Sequence, residues 1–263
     1  MDPTGRFAEL VAGPEAAIPL DEACLLVAAH ARAGAGDLDL ASEQSRLDEL
    51  ARTCARGDLA SVLHQLFEVH GFTGDRETYD DPRNSLLDQV LDRRRGLPIT
   101  LSVLLIEVGR RAGVGLVGIG MPGHFLARTA AGSTFVDAFE GGALLDEQGC
   151  EDRFRAVHGA EEPFDAAYLA PVGPRQILAR LLANLRSVYG RRGDLADLAW
   201  VLRLRSAIPG VDPRELEHLA HVETGRGRFR AAADAMEQLG RRLGDDPGRD
   251  AEAEARRLRA RLN

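Results

Sequence analysis

The fold of this chain is decided by residues 93–128, which read RRRGLPITLSVLLIEVGRRAGVGLVGIGMPGHFLAR. Gly96-Leu97-Pro98 interrupts the chain, and a helix is predicted to begin there because proline is favoured in the first turn of a helix. Gly113 and Gly115 predict its end. Apolar residues at helical spacing form its predicted buried stripe: Leu101, Leu104, Leu105 and Val108.

Two β-strands are predicted after this helix. Residues Val114–Arg128 and Ser133–Phe139 alternate or run apolar, and Ala130-Ala131-Gly132 between them indicates a turn. The order of a helix followed by two paired strands predicts an α+β core.

Helical patterns flank this core on both sides. Residues 19–71 carry apolar side chains at helical spacing, and a polar loop rich in Gly, Asp and Pro follows at 71–85. After Pro171 the pattern is helical to the last residue. We therefore predict three parts: a helical N-terminal layer over 1–58, an α+β core over 59–170 and a helical tail over 171–263.

The helical tail contains an internal repeat. Its stretch at 190–199, GRRGDLADLA, aligns with GRGRFRAAA at 225–233, which places Gly193 on Gly227 and Leu195 on Phe229. Both pairs are 34 residues apart, which is the period of tetratricopeptide repeats. The tail is therefore predicted to form tetratricopeptide-like (TPR-like) repeats, which present a concave surface to a protein partner.

The composition excludes several classes of protein. The 263 residues are 44% hydrophobic and 28% charged, with a net charge of −8, which argues against a broad nucleic-acid surface. The cysteines are Cys24, Cys54 and Cys150; they lie far apart and predict free thiols in a reducing compartment. Neither a signal peptide nor a membrane-spanning run is evident, so a cytoplasmic location without membrane binding is expected. No cofactor is predicted.

Three segments resemble the transglutaminase-like superfamily, whose fold is of the papain type. They are GFTGDRETYDDPRNSLLDQVLDRRRGLPITLSVL (71–104), GMPGHFLAR (120–128) and VDAFEGG (136–142). Within that superfamily the chain resembles the bacterial Sir-B-type proteins, which join a transglutaminase-like domain to tetratricopeptide repeats. The resemblance covers about residues 15–245.

This resemblance implies a catalytic set of Cys, His and Asp. A cysteine at the start of the core helix becomes a thiolate more readily because the helix N-terminus carries partial positive charge. His124 matches the family histidine and Asp137 the aspartate that orients it. The place of the cysteine falls on Pro98, which has neither a nucleophile nor a backbone N–H to donate to an oxyanion.

The hairpin supports the pairing of His124 with Asp137 independently. A two-residue turn at Ala130-Ala131 puts these two residues directly opposite each other, with Cβ atoms roughly 4.5–5.5 Å apart. The alternative is that His124 is a core histidine and that Asp137 caps the turn before Gly141-Gly142.

Other residues are weaker candidates for a nucleophile or a ligand site. Thr100 and Ser102 follow Pro98 on the core helix, and folding could bring in a cysteine. Tyr79, Asn84 and Ser85, together with Pro98, are predicted to line a binding cleft. Alternatively, the 79–85 loop is buried and its polar groups satisfy backbone donors and acceptors. No metal site is predicted.

These features lead to a prediction of function. The chain is expected to lack thiol catalysis, to bind a peptide or amide-bearing ligand in the cleft, and to bind a protein partner through its TPR-like tail. The alternative is an amide hydrolase or acyl transferase that uses His124 and Asp137 with a non-standard nucleophile. A third possibility is that the tail alone acts, as a scaffold, with the core as an inert support.

Overall fold

The computed structural model describes residues 2–32 and 37–261, apart from the side chains of residues 245–247. The chain divides into two compact units. One comprises Pro14–Leu181, and the other comprises Met1–Gly13 with Leu182–Asn263. These compact units do not test the predicted domain boundaries at residues 58 and 170, which stay predictions.

Helices and strands are interspersed through the first unit, whereas the second is helical in its described part. The α-helices are α1 (Pro3–Ala12), α2 (Leu20–Ala31), α3 (Leu40–Arg52), α4 (Leu59–Leu63), α5 (Leu87–Arg93), α6 (Pro98–Ala112), α7 (Glu147–His158), α8 (Pro174–Arg192), α9 (Leu195–Ala207), α10 (Glu215–Gly225), α11 (Phe229–Leu243) and α12 (Asp245–Ala260). A π-helical segment, His64–Val69, continues α4, and short 3-10 helices lie at Glu15–Ala17, Pro82–Ser85 and Ala166–Leu169.

The strands form one main sheet and one short pair. They are β1 (Thr73–Gly74), β2 (Arg95–Gly96), β3 (Leu116–Ile119), β4 (Leu126–Thr129), β5 (Phe135–Asp137), β6 (Ala143–Leu145) and β7 (Pro171–Val172). The main sheet has the order β6-β5-β4-β3-β7 with every neighbouring pair antiparallel, and β1 pairs with β2 in parallel.

The core helix α6 is buried on all sides over most of its length. Every residue from Pro98 to Gly109 is buried, including the predicted stripe. Its end at Gly113 is also confirmed, since this glycine adopts φ 83° as the C-terminal cap. A helix that is apolar on all sides is stable only inside a protein, and α6 packs against α3 and against strands β3 and β4.

The prediction of one long strand over Val114–Arg128 is wrong, because this segment forms the hairpin of β3 and β4. Its turn is Met121-Pro122-Gly123-His124, closed by a hydrogen bond from the His124 N–H to the Met121 oxygen (3.2 Å). Proline in the second position and a glycine with φ 72° in the third are typical of a type II turn. His124 therefore lies on a turn that precedes β4.

The predicted register of the next hairpin is also wrong. Ala127 pairs with Val136 and Arg128 with Phe135, so the connection is longer than the two-residue turn that was expected. The true register is displaced by two residues, and a displacement by an even number keeps every side chain on its predicted face. His124 and Asp137 are thus diagonal neighbours on one side of the sheet.

One face of the sheet packs against α7. The buried side chains that form this cluster are Ile119, Met121, Leu126, Phe135, Cys150, Phe154 and Leu169. Phe154 also stacks with Tyr168 at 5.4 Å between ring centroids. Because α7 lies against this face, its charged side chains come within reach of the end of β5.

In the helical unit, two helix-to-helix turns are alike. Gly193 between α8 and α9 and Gly227 between α10 and α11 both have φ 72°. Each turn is closed by the same type of backbone bond, from Asp194 to Tyr189 (3.1 Å) and from Arg228 to Glu223 (2.8 Å). The aligned glycines of the sequence repeat thus occupy equivalent turns.

A search of the described helices for one long and apolar enough to cross a membrane found none.

Candidate functional site

Asn84 ties the polar loop to the start of α6. Its backbone oxygen accepts hydrogen bonds from the Leu97 N–H (3.2 Å) and from the Thr100 hydroxyl (2.9 Å). Its side chain accepts a bond from Arg93 (2.9 Å) and donates one to the Thr78 oxygen (2.7 Å). Asn84 is fully buried, so these bonds compensate for the loss of water.

Asp75 holds the other end of this loop. One of its oxygens accepts a bond from the Thr78 N–H (2.9 Å), and the other accepts from the Thr78 hydroxyl (2.7 Å) and from Arg93 (3.2 Å). Burial by itself raises the pKa of Asp75, but the bonds from Thr78 and Asn84 and the charge of Arg93 outweigh burial and lower it. The loop that carries Tyr79 is thereby anchored at both ends.

His124 and Asp137 form the hydrogen-bonded pair at the centre of the site. Nε2 of His124 lies 3.0 Å from Oδ2 of Asp137, and the carboxylate is fully buried. Oδ1 of Asp137 accepts bonds from the backbone N–H groups of Phe139 (3.1 Å) and Glu140 (3.2 Å). Nε of Arg153, on α7, lies 3.3 Å from Oδ2.

The partner of Nε2 determines which nitrogen of His124 carries the proton in the neutral ring. A carboxylate can only accept, so the proton is assigned to Nε2 and Nδ1 becomes an acceptor. Among the described residues Nδ1 has no hydrogen-bond partner, and it is not one of the polar atoms sealed from solvent. The side chain is 11% exposed, which leaves the ring within reach of a small ligand group.

Two aromatic rings line the site beside His124. Phe139 meets the imidazole edge-to-face at 6.3 Å between centroids, and Tyr79 meets Phe139 in the same way at 6.0 Å. Gly74 lies directly against Phe139, since a Cβ atom added at residue 74 would be 2.5 Å from the ring. Tyr79 is 46% exposed, so this aromatic wall reaches the surface.

The hydroxyl groups of α6 that were candidates for a nucleophile do not hydrogen-bond to the imidazole. Pro98 is the first residue of the helix and is buried. The Thr100 hydroxyl is bonded to Asn84, and the Ser102 hydroxyl is sealed inside without a partner. Within the described residues, the ring of His124 hydrogen-bonds only to Asp137.

The three thiols are disfavoured as thiolates by their surroundings. Burial, followed by the charges of Glu107 and Asp21, strongly raises the pKa of Cys24. Burial, followed by nearby carboxylates, raises the pKa of Cys150 to about 12. Cys54 is half-buried, and desolvation raises the pKa of its thiol as well. A thiol in this state is a poor nucleophile at neutral pH.

The structure brings some predicted site residues into contact and buries others. His124 and Asp137 are in contact, and Tyr79 joins them through Phe139. Asn84 and Ser85 are buried, as are Pro98, Thr100 and Ser102. Where the described residues are concerned, no group of three or more His, Cys, Asp or Glu side chains could hold a metal ion.

Sequence reasoning did not find Phe139, Gly74 or Arg153. Phe139 lies two residues after Asp137, so this short spacing in the sequence could have indicated that Phe139 belongs to the site. Arg153 had no such signal, because its role depends on the packing of α7 against the sheet.

Comparison with known proteins identifies the family. Residues 31–183, more than half of the chain, match the family model of the transglutaminase-like superfamily. The chain belongs to the transglutaminase-like superfamily. No solved structure matches it.

Relatives of this transglutaminase-like protein occur in bacteria and in mammals. It is 46% identical over 136 residues to a UPF0162 protein of Xylella fastidiosa, which covers 50% of this chain and 48% of that protein. It is 32% identical over 156 residues to a UPF0162 protein of Pseudomonas aeruginosa, covering 56% and 57% of the two chains. F-box only protein 21 of Mus musculus is 31% identical over 145 residues, or 51% and 22% of the two chains. The chain spans about half the length of the bacterial relatives it matches.

Replacing Asp75 by Asn should make stability less dependent on pH. The lowered pKa of Asp75 means that its stabilisation is fully present above its ordinary pKa of 3.8 and is lost as the pH falls through the lower folded-state value. At pH 7, Asp75→Asn should reduce the free energy of unfolding by about 1–3 kcal/mol, measured by urea denaturation. This difference should shrink below pH 3.8.

Glu77→Gln is the matched control, since the Glu77 side chain is 84% exposed and should change stability little at any pH. A difference between Asp75→Asn and the unmodified protein that stays constant down to pH 2.5 would contradict the assigned role of Asp75.

Proposed function

We propose that this protein binds a peptide or amide-bearing ligand beside His124 and does not carry out thiol catalysis. One observation supports the proposal: Pro98, which the resemblance aligns with the family nucleophile, begins α6, while His124 and Asp137 are hydrogen-bonded at 3.0 Å. An oriented base without a nucleophile can still recognise a hydrogen-bond donor.

The atoms available at His124 suit an amide. Nδ1 is an acceptor without a partner in the described part of the chain, and an amide N–H is a suitable donor for it. The rings of Phe139 and Tyr79 offer apolar faces for the rest of the ligand. Few polar groups on an otherwise apolar wall are typical of small-ligand sites.

The second candidate function is amide hydrolysis or acyl transfer with a non-standard nucleophile. The carboxylate-oriented imidazole favours it, because this arrangement activates nucleophiles in catalytic triads. The bond between Thr100 and Asn84 and the sealed position of Ser102 argue against it. A hydroxyl on α6 would have to leave the core in order to react.

We further propose that the helical unit is a TPR-like partner-binding module, as in Sir-B-type proteins. The equivalent turns at Gly193 and Gly227 support this assignment. A groove of about 630 Å³ is lined by residues of α1, α9, α10 and α11, among them Ala8, Ala207 and Ala231. Small side chains leave room in such a groove for side chains of a protein partner.

Replacing His124 by Ala should weaken ligand binding. It should not change turnover, because none is expected from the unmodified protein. N-acetyl-Gln-Gly is a suitable probe because it carries amide N–H donors. Loss of one hydrogen bond should raise the dissociation constant about fivefold, measured by NMR titration of the backbone amides. Ammonia release should be absent from both proteins.

His64→Ala is the matched control for this variant. His64 also forms a 3.0 Å contact with a carboxylate, that of Glu68, but its side chain is 56% exposed and makes no hydrogen bond to Asp137. Its loss should leave binding unchanged. Ammonia release that requires His124 would favour the second candidate function instead.

Replacing Pro98 by Cys should create a reactive thiol. The partial positive charge at the start of α6 opposes the effect of burial on a thiol at this position, so iodoacetamide should label Pro98→Cys at residue 98 roughly tenfold faster than the buried Cys150 at pH 7. Adding His124→Ala should slow this labelling, as followed by peptide mass spectrometry. Labelling of the unmodified protein at Cys24 or Cys150 that depends on His124 would contradict the absence of thiol chemistry.

Replacing Ala231 by Arg should prevent partner binding by the helical unit. The long side chain would occupy the groove that Ala231 lines. Immobilised protein should then no longer capture the proteins that the unmodified chain retains from a bacterial lysate. Ala253→Arg, on α12 and outside the groove, is the control and should retain them. Equal capture by both variants would exclude the groove as the binding surface.

A further inference from the structure

Arg180, on α8, reaches the His124 site with an uncompensated positive charge. Its Nη2 donates a hydrogen bond to the backbone oxygen of His124 (2.7 Å), and its guanidinium lies over the ring of Phe125 at 5.5 Å. Across residues 2–32 and 37–261, no carboxylate forms an ion pair with it. Burial therefore lowers the pKa of Arg180.

Two other arginines of the same unit contact carboxylates. Arg32 pairs with Asp88 at 2.7 Å and Arg93 with Asp75 at 3.2 Å. A cation that is shielded from water without a counter-charge destabilises the protein, so such an arrangement calls for an explanation.

The guanidinium retains donors that a ligand could use. Arginine has five N–H groups, and a single one is used in the bond to His124. Neither Nε nor Nη1 of Arg180 is among the sealed, unbonded polar atoms of the described residues. The guanidinium also lies over the ring of Phe125, and this contact favours its position beside the sheet.

The location of this charge connects it to the aromatic wall. The charge of Arg180 acts on the Tyr79 phenol, where it opposes the increase in pKa that burial causes. Tyr79 contacts Phe139, and Phe139 contacts the His124 ring. Arg180 therefore lies next to the backbone of His124 and close enough to Tyr79 for its charge to act on the phenol.

We propose that Arg180 binds a carboxylate of the peptide ligand, so that the site recognises an anionic peptide with an amide held at His124. The inference rests on the proposed function and deepens it by specifying the charge of the ligand. The flat fork of donors in a guanidinium matches the two oxygens of a carboxylate, and such charge-assisted bonds are among the strongest in proteins. A bound carboxylate would supply the counter-charge that the described residues lack.

The test compares peptides that differ in a single charge. N-acetyl-Gln-Gly with a free carboxylate should bind about tenfold more tightly than its C-terminal carboxamide, by NMR titration. Arg180→Gln should remove this preference, and Arg180→Lys should retain part of it. N-acetyl-Glu-Gly-amide, whose carboxylate is on the side chain, shows whether a terminal or a side-chain carboxylate is recognised.

Arg128→Gln is the matched control. Arg128 also lies over a phenylalanine, Phe135 at 5.7 Å, and it forms no ion pair within the described part of the unit, but unlike Arg180 it does not hydrogen-bond to His124. The preference for the carboxylate should persist in this variant. Its persistence in Arg180→Gln, or equal binding of carboxylate and carboxamide to the unmodified protein, would overturn the inference.

The failure of this inference can be distinguished from failure of the proposed function. His124→Ala keeps the backbone oxygen that Arg180 contacts, so it tests the imidazole alone. If His124→Ala weakens both peptides equally and Arg180→Gln has no effect, the proposed function stands and the role of Arg180 fails. If the carboxylate preference depends on Arg180 but binding is unaffected by His124→Ala, Arg180 is supported and the role of His124 fails.

Discussion

The buried carboxylate of Asp137 is the constraint on which the site depends. It accepts hydrogen bonds from the turn after β5, faces the imidazole on the turn before β4, and lies beside Arg153 of α7. A carboxylate without access to water is stable only when its oxygens are satisfied in this way. The three elements must therefore keep their relative positions, and His124 is oriented as a consequence.

A second network fixes the position at which α6 begins. Asn84 accepts hydrogen bonds from Leu97 and Thr100, and Asp75 secures the loop that leads to it. Pro98 is compatible with this position because the first residue of a helix needs no backbone N–H. The structure thus accommodates proline at the start of α6. These two networks are the structural basis of the binding function that we propose.

Much of the core was predictable from local patterns. The helix over 98–112 followed from its proline start, its apolar stripe and its glycine end, all of which act within a few residues. The contact between His124 and Asp137 was predicted on a register that was displaced by two residues. It nevertheless forms, because an even displacement preserves the face of each strand and a long side chain reaches a diagonal neighbour. The hairpin at Pro122-Gly123 was missed because two apolar strands joined by a short turn resemble one long strand.

The sequence by itself determined the family, the proline that begins α6 and the pairing of His124 with Asp137. These features depend on residue type and on short spacings, which can be read directly from the sequence. The tertiary structure alone decided that Arg153 joins Asp137, that Phe139 contacts the imidazole and that Arg180 brings its charge to His124. Arg153 lies on α7, 16 residues after Asp137. Arg180 lies on α8, 56 residues after His124. Their side chains meet the site only because burial of apolar surface packs those helices against the strands, and no local pattern encodes that distance.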